Sequence, residues 1–303
     1  MTWAKGLLRN ISFILALALA LGLLVPHVAT YTRPAVTPVL GVVMTMSMLG
    51  VVSSALAGFR RVVGPATLSV FLNYVVLSGL MVGLATVLLD DHALWAGFVL
   101  VAAVPPAVAV IPFSHRLGGQ TEFALIGSLA CYIAAFVATP VISVAFLGAN
   151  YIPPSRLLLA LGELIVAPFL VSRLLRRFSV GAFLERHRGL IVNWGFFVVV
   201  YTIIGLNRDA FLREQSVLLP MCAVAFACTF AIAVATERAG FLLGIPREKR
   251  TSMMVMSAWK NYGLAGAIAL AFVETRASIP AAVITAFAIA NFVWLGFWTR
   301  KMR

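Results

Sequence analysis

The strongest constraint on this chain is a series of apolar stretches, each close to the length of a membrane crossing, repeated from end to end with short polar joints between them. About 20 helical residues cross a hydrocarbon core roughly 30 Å thick. Within lipid every backbone N–H and C=O needs an internal partner, so spanning segments are helices or closed barrels. These stretches are continuously apolar and do not alternate with polar residues, which selects helices. Composition agrees: 62% of residues are hydrophobic and 11% charged, with a mean hydropathy of +1.03. A soluble domain is about a quarter charged, and so few charges cannot cover a surface in water.

Ten spans follow, near 7–29, 35–58, 65–89, 93–117, 121–147, 155–175, 188–206, 216–243, 248–273 and 278–299. Pro34, Gly64-Pro65, Pro153-Pro154, Pro246 and Pro280 punctuate the joints. The first run follows Lys5 and Arg9. It is too long for a signal peptide and lacks a small-x-small cleavage site, so it reads as the first span. No joint is long enough for a soluble domain, and residues 1–303 read as a single transmembrane domain.

The formal net charge is +13. The basic residues sit in short clusters between apolar runs, the pattern of a membrane protein's cytoplasmic face, which argues against nucleic acid as a partner. Of the Lys and Arg residues, seventeen fall on the amino-terminal side, from Lys5 to Arg303, and five on the other: Arg33, Arg156, Arg208, Arg213 and Arg276. That asymmetry places both termini in the cytoplasm of a multi-pass protein of the cell's inner membrane. Adding or removing one span would scramble it.

Ten spans divide into five plus five, residues 1–148 and 149–303, joined on the outside near Pro153-Pro154. An odd number per half makes the second half enter from the opposite face, giving an inverted repeat. Span 4 is interrupted at Val104-Pro105-Pro106-Ala107 and span 9 around Trp259-Lys260-Asn261-Tyr262-Gly263. Each is the fourth span of its half, and a matched pair of broken helices points to a binding site at the bilayer midplane.

Lys260 lies mid-span, where a charge costs several kcal/mol unless it meets a partner or a water-filled cavity. Glu163, in span 6, is the other deep ionisable residue, expected to pair with Lys260, line a cavity or hydrogen-bond as a neutral acid. Asn73, Asn193 and Asn261 are amides within spans, able to ligate ions or substrate or simply to tie helices together. Asn261 adjoins the break and is the best placed of them. Cys131, Cys222 and Cys228 lie in apolar runs with no CxxC spacing, which indicates neither a metal site nor a disulfide framework. No Walker A, HExxH or GxSxG motif occurs, so the expectation is a protein without enzymatic activity or cofactor.

Residues 104–142, VPPAVAVIPFSHRLGGQTEFALIGSLACYIAAFVATPVI, and 249–274, KRTSMMVMSAWKNYGLAGAIALAFVE, resemble the bile acid:sodium symporter family. There the first stretch reads like CPGG…SN followed by a helix ending in a TP pair, and the second reads E-x-x-x-Q-N-x-x-L-A. The resemblance implies a sodium/proton antiporter-like fold. A panel of spans 1, 2, 6 and 7 faces a core of spans 3, 4, 5, 8, 9 and 10, and broken spans 4 and 9 cross in the core. It also implies organic-anion substrates entering between core and panel. The chain departs where the family binds sodium. The acidic residue of span 9 falls on Met256, the glutamine on Lys260, and the Ser-Asn pair on Val110 and Ile111, while Asn261 and Asn73 keep the polar pattern. The resulting expectation is a sodium-independent carrier of a small organic anion working by alternating access, with Lys260 in place of a bound cation and either protons or nothing as the coupling ion. The rival readings are a sodium-coupled organic anion symporter, a metalloid efflux carrier, and a non-transporting membrane receptor. Val104 stands where the metalloid carriers place a cysteine.

Overall fold

A computed structural model describes residues 10–49 and 59–301. The end of the second expected span, and Lys5, Arg9 and Arg303 of the charge count, fall outside them. All regular structure among the described residues is helical. The helices are α1 (Ile11–Leu24), α2 (Val36–Leu49), α3 (59–88), α4 (His92–Ala103), α5 (Val110–Arg116) and α6 (Thr121–Leu147). They continue as α7 (154–175), α8 (Ser179–Leu206), α9 (215–242), α10 (Arg247–Ala258), α11 (Tyr262–Phe272) and α12 (Ile279–Lys301).

Six of these helices are long and apolar enough to cross a membrane: α3, α6, α7, α8, α9 and α12. Helix α1 and the helical stretch 26–49 that ends in α2 meet at Val25 with a bend of 97°, and together they make a seventh candidate. Helices α4, α5, α10 and α11 are each too short, since twelve residues rise only about 18 Å. They come as two end-to-end pairs across a break, α4 with α5 and α10 with α11. The chain is therefore an integral multi-pass membrane protein.

Two helix starts differ from the sequence reading. Helix α3 begins at Phe59 and runs through Pro65. The missing proline N–H frees one carbonyl near the helix end, a loss membrane helices tolerate. Helix α8 begins at Ser179, so Arg186 and Arg188 lie in its first turns and not in a loop. Three helices contain π-helical turns: α3 at Phe71–Leu77, α7 at Gly162–Val166 and α9 at Ala227–Ala231.

Helix α8 packs along α1 and α2, and α2 packs along α7. Helix α3 packs on α6 and α9 on α10, while α4 lies among α3, α6 and α12. At one end of the bundle Arg276 Nε donates to Asp91 Oδ2 at 2.7 Å and its Nη1 to Glu214 Oε1 at 3.0 Å. Asp91 also caps α4, accepting from the N–H groups of Ala93 and Leu94. This one guanidinium ties together the joints before α4, α9 and α12. Partial burial raises the Asp91 carboxyl, but the bonds from Arg276 and the α4 amides outweigh it and hold the group below its ordinary value. The Arg276 hydrogen bond likewise holds Glu214 low. At the other end Gln120 N donates to Glu248 O, Ser114 shares a hydrogen bond with Ser252, and Arg247 donates to Thr299 O. There too, Arg250 meets Glu237 at 3.2 Å, both largely buried.

Candidate functional site

The two breaks meet. Helix α4 stops at Ala103 because Val104 turns extended and Pro105 and Pro106 supply no N–H to continue it. Helix α10 stops at Ala258 because Trp259 is extended (φ −129°, ψ 125°). The chain restarts at Asn261, whose Oδ1 caps α11 by accepting from Leu264 N at 3.1 Å. Asn261 N donates to Pro105 O at 2.8 Å, joining the crossing peptides directly.

A broken helix leaves carbonyls without their usual partners, and burial makes each of them costly. Here every carbonyl from Ala102 to Pro106 finds a donor. Ala102 O accepts from Ser78 Oγ at 2.7 Å and Lys260 Nζ at 2.8 Å. Ala103 O accepts from Thr139 Oγ1 at 2.8 Å, and Val104 O from Lys260 Nζ at 3.0 Å. Pro105 O takes the Asn261 amide, and Pro106 O takes the Tyr132 hydroxyl at 3.0 Å. On the facing strand Asn73 Nδ2 donates to Met256 O and Trp259 O at 3.2 and 3.3 Å, and Tyr262 OH to Ala258 O at 3.0 Å.

Lys260 is the centre of this arrangement and is fully buried. An ammonium has three donors, and Nζ has three acceptors: Ser78 Oγ at 2.9 Å, Ala102 O and Val104 O. It also stands 4.4 Å from the centroid of the Tyr74 ring, in cation–π range. No ion pair reaches it among the described residues. The charge is solvated by backbone dipoles, a hydroxyl and a ring face, without a carboxylate.

The structure brings Lys260, Asn261, Asn73, Pro105, Pro106 and Met256 together at this crossing. Asn73 lies on the π-helical turn of α3, which aims its amide at α10. Met256 is fully buried, and a Cβ placed on Gly127 would lie 3.0 Å from its Cε, so its thioether packs on α6. Val110 is buried at the first turn of α5, and Ile111 beside it lines a separate apolar groove. Glu163 lies apart. It is exposed on α7, and no hydrogen bond or ion pair joins it to Lys260. Four buried polar oxygens on the neighbouring helices α3 and α6 lack a hydrogen-bond partner: Asn73 Oδ1, Ser69 Oγ, Ser128 Oγ and Ser143 Oγ. Sequence reading passed over Tyr74, Ser78, Tyr132 and Thr139, all of which serve the crossing. It also passed over Asn291, a mid-span amide that accepts from Trp259 Nε1 and donates to Thr229 O. The only available signal was a polar group inside an apolar run, a weak one, because serine and threonine satisfy themselves within helices.

A cavity of about 740 Å³ opens at the Arg116/Arg300 end between α1, α5, α8 and α12, with Asn10, Asn193 and Thr299 also in its wall. A smaller apolar cavity of about 80 Å³ shares Ile11, Phe113 and Phe292 with it and reaches Lys260 and Asn261. Aromatic rings stand between the two. Phe113 stacks on Phe292 at 4.0 Å and meets Trp259 edge-on at 5.0 Å. Towards the Arg276 end α11 closes against α2 and α8. A Cβ on Gly263 would lie 3.2 Å from Leu40 and Phe196, a Cβ on Gly266 would strike Ile203 at 2.7 Å, and Arg33 donates to Leu270 O at 3.3 Å.

A bundle of apolar helices with two broken helices meeting at a buried, solvated charge, and a cavity leading in from one end, defines a membrane transporter of small molecules. The family comparison agrees and is more specific: the Sodium Bile acid symporter family matches residues 37–211, and the chain belongs to it. No curated relative matches the chain.

Proposed function

We propose that this protein is a secondary carrier of a small organic anion that does not use sodium, with Lys260 serving as a tethered cation at the helix crossing. The observation that carries the reading is the match between the three donors of the Lys260 ammonium and the three oxygens around it. Crossed helix breaks present carbonyl oxygens that attract a cation. A side chain that fills this cage leaves an ion from solution no place in it. Val110, Ile111 and Met256 point the same way, since none brings a side-chain oxygen to ligate sodium.

In this reading the chain has ten spans, with α1 and α2 counted separately and α4–α5 and α10–α11 each counted as one. Both termini are cytoplasmic, in the inner membrane. The halves are inverted repeats, supported by the paired breaks in spans 4 and 9 and by the paired π-helical turns in the third span of each half, α3 and α9. Spans 1, 2, 6 and 7 form the panel and the rest the core. Asn261, Asn73, Pro105 and Pro106 carry the site beside Lys260, whereas the exposed Glu163 takes no part in the cage. The 740 Å³ cavity is the cytoplasmic entrance. Arg116 and Arg300 at its wall attract anions, and the Phe113–Phe292–Trp259 rings part to admit substrate. Alternating access then exchanges this opening for one at the Arg33–Leu270 contact.

Uptake of labelled organic anions into proteoliposomes tests the proposal. Transport persists when choline replaces sodium. A proton-coupled carrier responds to an imposed pH gradient and loses that response in Lys260→Arg, because arginine keeps its proton; a uniporter or exchanger shows no response in either. Transport that stops without sodium ends the reading.

A further inference from the structure

Helices α6 and α7 pack together along Pro154–Leu161. Beyond that contact an apolar groove of about 340 Å³ lies between them and α2. Its walls include Met48, Val108, Ile111, Ile133, Val166 and Phe169. Ile133 is 75% exposed and Val166 40%, so the groove opens on the outer perimeter of the bundle. In a membrane protein that perimeter faces acyl chains. Two further observations mark a built site. Ser128 lines the groove, is fully buried, and its Oγ has no hydrogen-bond partner. At the groove's end, the Arg173 guanidinium lies 5.2 Å from the centroid of the Phe169 ring and is held there by a hydrogen bond to Met48 O. Arg176 and Arg177 follow within one turn.

We propose that this groove binds an anionic phospholipid. One acyl chain lies against Ile133, Val166 and Phe169, and the phosphate sits at the Arg173–Arg177 cluster. Basic clusters at helix ends attract anionic headgroups, and the aliphatic walls accept a chain with no polar cost. Ser128 stands seven residues into α6, about 10 Å from its start, where its hydroxyl can donate to an ester carbonyl of the same lipid. Tyr132, which also lines the groove, donates to Pro106 O, so the bound chain packs directly against the crossing.

The test is native mass spectrometry of the purified full chain with dioleoyl phosphatidylglycerol or dioleoyl phosphatidylcholine added at equal concentration. The wild type retains phosphatidylglycerol in preference to phosphatidylcholine. Ile133→Trp and, independently, Val166→Trp fill the groove from its exposed rim and lose that retention. Arg177→Gln keeps chain binding and narrows the preference. Equal retention of the two lipids, full retention in both tryptophan variants, or displacement of the lipid by inorganic phosphate alone overturns the proposal. A doubled protein mass that both tryptophan variants abolish would assign the groove to a second copy of the chain instead. Monodisperse gel filtration of each variant checks folding, and lipid retention is read without any transport assay, so it stands apart from the anion-carrier reading.

Discussion

Replacing Lys260 by glutamine removes the charge and one of its three donors, on a side chain one bond shorter. Among the described residues Val104 O has no donor other than Nζ, and a buried carbonyl left unpaired costs about 1–3 kcal/mol. The contact with Tyr74 adds roughly 2 kcal/mol when desolvated. Removing the ammonium also relieves its own desolvation, several kcal/mol on the scale of a buried ion, so the net change in sodium-free buffer is smaller than the sum of the losses. The response to sodium has an unambiguous sign. Once Nζ is gone, the oxygens of Ser78, Ala102 and Val104 form a cage open to a small cation. A cation bound at a hundred times its Kd stabilises the folded state by about 2.7 kcal/mol, and each kcal/mol moves the melting point of a chain this size by roughly 2–4 °C. The assay is thermal unfolding in detergent, with choline and sodium chloride at equal ionic strength. The wild type melts at the same temperature in both salts, whereas Lys260→Gln melts lower in choline and recovers in sodium. Lys260→Met, which offers no donor and obstructs the cage, falls in both. A wild type stabilised by sodium, or a glutamine variant indifferent to it, refutes the tethered-cation argument.

Three other outcomes are expected. Asp91 and Glu214 are both held below their ordinary values, chiefly through Arg276, so their contribution to stability is present above the unfolded carboxylate range near pH 4 and is lost as pH falls through the folded values. Arg276→Gln should flatten the acid limb of a melting-temperature profile. Gly97→Ala forces a Cβ against Ala277 O and to 2.8 Å from Pro280 Cγ where α4 passes α12; overpacking of this kind costs about 1–3 kcal/mol, read as a lower melting point with an unchanged helical circular dichroism spectrum. A reporter fused after Arg303 should read as cytoplasmic and one inserted between Asp90 and Asp91 as external; a cytoplasmic signal at Asp91 overturns the proposed topology.

The sequence made the breaks legible because Pro105-Pro106 and Lys260-Asn261 are local anomalies. Two adjacent prolines cannot continue a helix, and a lysine ten residues into an apolar run is expensive wherever it points. Glu163 is the counterexample: the same argument applies to it, yet it faces outward on α7. Depth in a span says nothing about azimuth, and a π-helical turn shifts the register of every later residue on the helix. Tyr74, Ser78, Tyr132 and Thr139 were invisible for a different reason. Each acts on a carbonyl between 24 and 186 positions away in the chain or on a charge at such a distance, and no periodicity records those pairings.

Those four side chains explain why a lysine can occupy the crossing at all. Unwinding two helices in the low-dielectric core exposes the carbonyls from Ala102 to Pro106, and neutral donors alone answer only some of them: Thr139 takes Ala103 O, Tyr132 takes Pro106 O, and the Asn261 amide takes Pro105 O. Val104 O is left over, and Ala102 O, already bonded to Ser78 Oγ, retains a second lone pair. One unpaired carbonyl oxygen, one half-satisfied carbonyl oxygen and a hydroxyl converging on one point form a negative focus, and in that surrounding a cation is stabilised where a neutral group would not be. A mobile ion supplies that charge only while it is bound. The Lys260 ammonium supplies it from within the chain, so the joint between the two broken helices is closed by the protein's own side chains.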